Sequence, residues 1–267
     1  MEITSNITGE RLKKYFKEGK RFDNRKMDEF REIIIETGVS KNAEGSARVK
    51  IGETEVLVGV KMGAGEPYPD SPNSGNLMVS AEFLPSSSPR IENGPPKFPS
   101  IELGRVIDRG IRESKFIELD KLCIKEGKKV WTIFIDIYTM NDDGNLMDAA
   151  GIGAIAALKD ARIPKYNEEE EKVMFGEFSD KKIPLSKNLP IPITVYKIGE
   201  GILVDPIKEE EDFCETRVTI GGSDGTIFSI QKGESKPLTT KEFNEVLDIS
   251  EKACKEVYKK IQKFIKI

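Results

Sequence analysis

The chain has no histidine. This excludes Ser-His-Asp and Cys-His nucleophilic chemistry and imidazole ligation of metals, and leaves carboxylates, Lys, Arg, Tyr or the backbone to do any catalysis. Cysteine is scarce: Cys123, Cys214 and Cys254 stand far apart with no CxxC spacing. That spacing argues against a zinc site and a disulfide framework, and buried reduced thiols are expected, as in a cytosol. No apolar run approaches a membrane span, and the opening MEITSNITGERLKKYF lacks the core of a signal peptide. No membrane partner is therefore expected, and the expected location is cytoplasmic. A dominant charge is also missing. The 42 basic and 46 acidic residues leave a net charge of -4, so a polyanion would have to be met by a local basic patch.

What is present is a 267-residue chain, 37% hydrophobic and 33% charged, long enough for one large core or two tightly packed halves. Residues Asn6 to Glu18 predict an amphipathic helix capped by Thr8, with Ile7, Leu12, Tyr15 and Phe16 as apolar contacts. A polar, turn-rich segment carrying Arg21, Arg25 and Arg31 leads to strands expected at Glu32–Thr37, Ser46–Ile51 and Thr54–Met62, the last two joined by a hairpin-length link. Two Pro-rich loops between Gly63 and Ser100 flank a strand in LMVSAEFLP. Arg90 is the basic group of the second loop that could reach a ligand. KVWTIFIDIYTM reads as a central strand whose Asp136 is a structural partner. The following DDGNLMDAAGIGAIAALKDARIP turns on Asp-Gly into a helix so rich in Gly and Ala that it must pack closely on something, with Pro164 marking its end.

Lys165 to Lys187 is an acidic surface excursion of low periodicity. It separates an N-terminal half, residues 1–164, from a C-terminal half, residues 188–267, within a single expected domain. The second half offers strands at Pro192–Ile198, Gly201–Asp205, Thr216–Gly221 and Thr226–Lys232. A helix from Thr239 to Lys266 follows, lined by Val246, Ile249, Ala253, Val257, Ile261 and Phe264. The result is an α/β (α+β) arrangement of two halves, without a strict sequence repeat.

Two stretches carry possible chemistry. In IELGRVIDRGIRES, Leu103, Val106, Ile107 and Ile111 gather on one helix side, and Arg105, Arg109 and Arg112 recur at i, i+4, i+7 on the other. Such a row of guanidinium forks suits phosphate oxygens. It equally suits a solvated face with internal pairs, Asp108 to Arg112 and Glu102 to Arg105. The run DPIKEEEDFCET gathers Asp205, Glu209, Glu210, Glu211, Asp212 and Glu215. Clustered carboxylates can bind a divalent metal or act as acids and bases, but a solvated acidic turn is the ordinary explanation.

The arginine helix, the VWT strand with its DDGN turn, and VDPIKEEE, in this order over nearly the whole chain, resemble the RNase PH family of phosphorolytic 3′-to-5′ exoribonucleases. The likeness is nearest to the non-catalytic RNase PH-type subunits of archaeal exosomes. It implies an RNase PH domain of two βαβα-like halves resembling the ribosomal protein S5 domain 2-like fold. It also implies a hexameric ring in which three copies alternate with three of a catalytic paralogue, capped by S1 or KH RNA-binding proteins, with no cofactor. Active members carry two acids that organise a metal and protonate the leaving group. Those positions fall here on Glu211 and Arg217, and a guanidinium cannot do an acid's work. The family's phosphate-binding arginine falls near Pro99, and an RNA-contacting arginine on Met147. What the resemblance implies for this chain is RNA binding by Arg105 and Arg109, with Arg112 a weaker candidate, directed at a neighbour's active site. Two other readings stay open: an active nuclease using Glu211 with Asp205 or Asp212, and a purely structural ring subunit without RNA contact.

Overall fold

A computed structural model describes residues 4–264. Helix α1 (Asn6–Lys17) is capped by Ser5, whose hydroxyl accepts from the Thr8 N–H. Thr8 therefore lies inside the first turn and does not cap the helix. Leu12 and Phe16 are buried, whereas Ile7 is 83% exposed and makes no core contact.

The first sheet holds β1 (Ile33–Thr37), β2 (Gly45–Ile51), β3 (Thr54–Gly65), β4 (Asn76–Phe83), β5 (Cys123–Lys125) and β6 (Lys129–Asn141). Its order is β1-β2-β3-β6-β4, with β5 pairing β6. Only β4 runs parallel to its neighbour, because the chain crosses over between β4 and β6 through helix α2 (Phe98–Glu113). Strand β6 is central, as its composition predicts. Ile133, Ile135 and Ile137 point into the core, while Phe134, Asp136 and Tyr138 alternate on the half-buried face. Asp136 accepts a hydrogen bond from the Ser80 hydroxyl at 2.8 Å.

Helix α3 (Leu146–Asp160) explains its own composition. Every residue from Leu146 to Leu158 is buried, because the helix lies between two sheets. A Cβ on Gly151 would sit 2.3 Å from Pro192 of the second sheet, and one on Gly153 would sit 2.7 Å from Val58 of the first. Small residues on both faces are what let the sheets close on the helix.

The acidic stretch expected as a surface excursion is largely a hairpin of β7 (Arg162–Asn167) and β8 (Lys172–Lys182). Pro164 lies within β7, past the end of α3 at Asp160. The second sheet holds β9 (Ile191–Ile198), β10 (Gly201–Val204), β11 (Thr216–Ser223) and β12 (Thr226–Gly233) in the order β10-β9-β11-β12. Between β10 and β11 lies the single-turn helix α4 (Lys208–Glu211), and α5 (Thr240–Ile261) covers the sheet. Val246, Ala253, Val257 and Ile261 of α5 are buried, but Phe264 lies past the helix end and is 40% exposed. The expected last turn to Lys266 reaches outside the described residues. One apolar core runs from Phe30 through both sheets and α3 to Ile261.

Candidate functional site

Asp205 ends the short strand β10 in a left-handed conformation, φ 46°, and its carboxylate is fully buried. Oδ1 accepts from Arg31 Nη2 at 2.7 Å and from Asn145 Nδ2 at 2.9 Å. Oδ2 accepts from Arg25 Nη1 at 2.9 Å, and from the Arg31 N–H and Nε at 2.8 and 2.9 Å. Burial pushes the Asp205 carboxyl up, but hydrogen bonds and charge from Arg31, with Arg25, outweigh it and hold the group below the usual carboxylate range. Arg21 is enclosed beside it, pairing with Glu210 through Nε at 3.1 Å and Nη2 at 2.5 Å, and donating to the Val204 and Asp205 carbonyls.

The acidic run is therefore no solvated turn. The turn-rich segment at residues 21–31 folds back on it and supplies the cations that its buried acids require. Arg90 belongs to the same arrangement, gripping Asp212 at 2.6 and 2.8 Å, and the Thr4 hydroxyl donates to that carboxylate as well.

Glu211 accepts from the Asn145 N–H at 3.2 Å, the Tyr196 hydroxyl at 3.3 Å and Lys208 Nζ at 2.9 Å. Burial would depress the Lys208 ammonium, but Glu211 and Asp142, the latter 2.9 Å away, raise it instead. Arg217 stands opposite Tyr196 in the sheet register and donates to Glu102 Oε2 at 2.6 Å. Burial opposes its charge and Glu102 more than restores it. An ammonium on one position and a guanidinium at the other do not fit a divalent cation. Among the described residues no group of three or more acids and cysteines is arranged to hold a metal. Met147 is packed in the core, and Pro99 lies exposed in the first turn of α2. Neither presents a cation.

Helix α2 lays Leu103, Ile107 and Ile111 into the core and leaves Arg105, Arg109 and Arg112 exposed. The three arginines are not equivalent. Arg112 is held by Asp108 at 2.8 and 3.2 Å and donates to the Leu77 carbonyl at 3.1 Å. Its expected pairing with Asp108 thus forms, whereas Glu102 turns to Arg217 and leaves Arg105. Among the described residues neither Arg105 nor Arg109 makes a hydrogen bond or ion pair. Both line a groove of about 300 Å³ between α2 and β12, with Phe98, Ile101, Glu102, Val106, Ser229 and Gln231. Such a groove can hold a run of phosphates by unsatisfied donors above an apolar floor.

Asp148 is a further buried acid that the motifs above do not include. Wholly buried in the first turn of α3, it accepts from the Thr194 hydroxyl at 2.7 Å through Oδ1, and Oδ2 has no hydrogen-bond partner among the described residues. Burial pushes its carboxyl up to about 8. Its place three residues after the αL cap Asn145, in an otherwise apolar helix, was the available signal.

Residues 29–164 match the model of the 3′ exoribonuclease family, domain 1, and residues 188–253 that of domain 2. The chain belongs to this family, RNase PH, and its two sheet-and-helix halves are the family's fold, of the S5 domain 2-like kind. It is 43% identical over 262 residues to the exosome complex component Rrp42 of Methanocella arvoryzae, covering 98% of each chain. It is 45% identical to the Rrp42 component of Pyrococcus furiosus, covering 97% of this chain and 94% of that one. A solved structure described as the Archaeoglobus fulgidus exosome with RNA bound to the active site holds a similar chain. Its TM-score is 0.88 at 42% identity, covering 96% of this chain and 98% of that one. Among the described residues no helix is long and apolar enough to cross a membrane.

Proposed function

We propose that this chain is a non-catalytic RNase PH-type subunit of an archaeal-type exosome, a phosphorolytic 3′-to-5′ RNA-degrading ring. It pairs with a catalytic paralogue, three such pairs close a hexameric ring beneath S1- or KH-domain caps, and the assembly works in the cytoplasm. Its contribution is to structure the partner's active site and to hold the RNA backbone there with Arg105 and Arg109. Arg112, tied to Asp108, contributes less. Residues 1–267 act in this as one unit. The relatives named Rrp42, similar over nearly their whole length, support the assembly.

One observation carries the reading. On the resemblance, the positions at which the family's active members carry acids fall on Glu211 and Arg217, both spent on internal pairs, while Arg105 and Arg109 stand exposed and, among the described residues, unpaired. Backbone contacts of this kind bind without reading sequence, as processive degradation requires. The test is phosphate-dependent shortening of poly(A) by the purified chain alone and with its catalytic paralogue. Shortening should need the paralogue, and robust activity from the isolated chain would overturn the non-catalytic assignment.

A further inference from the structure

Three ionisable side chains line the groove between α2 and β12: Glu102, Arg105 and Arg109. Glu102 precedes Arg105 by three residues, a spacing at which helical side chains meet. A carboxylate left there would quench the Arg105 guanidinium and repel phosphate. Arg217 engages it instead. Nη2 lies 2.6 Å from Glu102 Oε2, and the two side chains are only 17% and 11% exposed.

The neighbourhood accommodates this pairing. Gly233, opposite Arg217 on β12, leaves room for the guanidinium: a Cβ there would lie 2.8 Å from Cζ and 2.9 Å from Nε. Glu234 adds a weaker contact at 3.8 Å, leaving Glu102 as the close partner.

We propose that Arg217 is a positioning residue for RNA binding: it sequesters Glu102 and so keeps the Arg105 guanidinium available to backbone phosphate. The inference rests on reading Arg105 and Arg109 as RNA contacts. It gives the arginine at this position a positive role beyond the loss of an acid. Two residues far apart in sequence, one on α2 and one on β11, then act as a single electrostatic unit.

The experiment measures binding of fluorescent oligo(A) to the complex of this chain with its catalytic paralogue, across a salt series. Arg217→Met should weaken binding several-fold and lower the slope of log affinity against log salt by about 0.7, the value of one single-strand phosphate contact. Glu102→Gln added to Arg217→Met should restore both, since no carboxylate remains to capture Arg105. A purely structural arginine would not be rescued this way. Equal weakness of the single and double variants, or unchanged binding by Arg217→Met, would overturn the proposal. If Arg217→Met does not fold, Glu102→Gln alone decides: retained or raised affinity supports the proposal, and loss of affinity overturns it. Arg105→Glu with Arg109→Glu is the reference. If that variant binds RNA normally, the reading of the groove fails and this inference with it. If it binds poorly while Arg217→Met does not, only the inference fails.

Discussion

Arg21, Arg25 and Arg31 converge on the acids around Asp205, with side chains 0%, 12% and 9% exposed, whereas Arg105 and Arg109 stand over an open groove and pair with no acid among the described residues. The same side chain serves opposite ends because of its surroundings. In the junction, desolvation makes an unpaired charge costly, so each guanidinium is matched to a carboxylate or carbonyl. On α2 the guanidinium keeps its hydration and its fork of donors for whatever arrives. Arg112 shows that spacing alone does not separate the two uses. It shares the stripe but is held by Asp108 and the Leu77 carbonyl.

The largest effect should come from the junction. Asp205→Asn removes the buried carboxylate that Arg25 and Arg31 share, leaving them Asp23 and Asp143, and should cost about 3–5 kcal/mol in urea unfolding, the usual range for breaking a buried pair. Molecules that remain native should bind RNA unchanged. A loss below about 1 kcal/mol, within the range of exposed pairs, would remove the contrast between the two groups.

Next comes Asp148. Its folded carboxyl titrates at about 8, against about 3.9 in the unfolded chain, so the native state binds the proton more tightly. Stability from this group is therefore fully present below about pH 4, falls by about 1.4 kcal/mol per unit as pH rises toward 8, and levels off above. Asp205 has the opposite sign: its folded carboxyl is lowered, so its contribution is present above the unfolded pKa and lost as pH falls. Asp148→Asn should flatten the alkaline limb, with the gain in Tm over wild type growing from pH 5 to pH 9. A constant difference would contradict the assignment.

Arg105→Glu with Arg109→Glu should leave stability within about 0.5 kcal/mol of wild type, as exposed substitutions do. The salt slope of RNA binding should fall by about 1.4, two contacts' worth. Smallest of all, Arg112→Gln should cost about 0.2–0.5 kcal/mol of helix stability, the scale of an i,i+4 pair, with little change in RNA affinity by the same titration.

Elements with one buried face were legible in the sequence. The β-branched and aromatic residues of KVWTIFIDIYTM, apolar on both faces at several positions, identified β6 as central, and the glycines and alanines of α3 announced close packing, though not that sheets would press from both sides. The hairpin at residues 162–182 was not legible, because β8 is exposed along nearly its whole length and leaves no alternating pattern. The acidic junction was missed for another reason. The acids of the run and the arginines that hold them lie 122 to 189 residues apart, and each stretch alone reads as a polar turn. The Arg217–Glu102 pair spans 115 residues and leaves no local trace either. Periodicity exposed the arginine stripe, but only the packing of α2 separated Arg112 from Arg105 and Arg109.

The most direct test of the account is reconstitution of the ring with its catalytic paralogue, using either wild-type chain or Arg105→Glu with Arg109→Glu, followed by phosphate-dependent shortening of poly(A). Both rings should assemble to the same mass, and the variant ring should degrade poly(A) much more slowly at moderate salt. Equal rates from two intact rings would contradict the claim that these two exposed arginines hold the RNA.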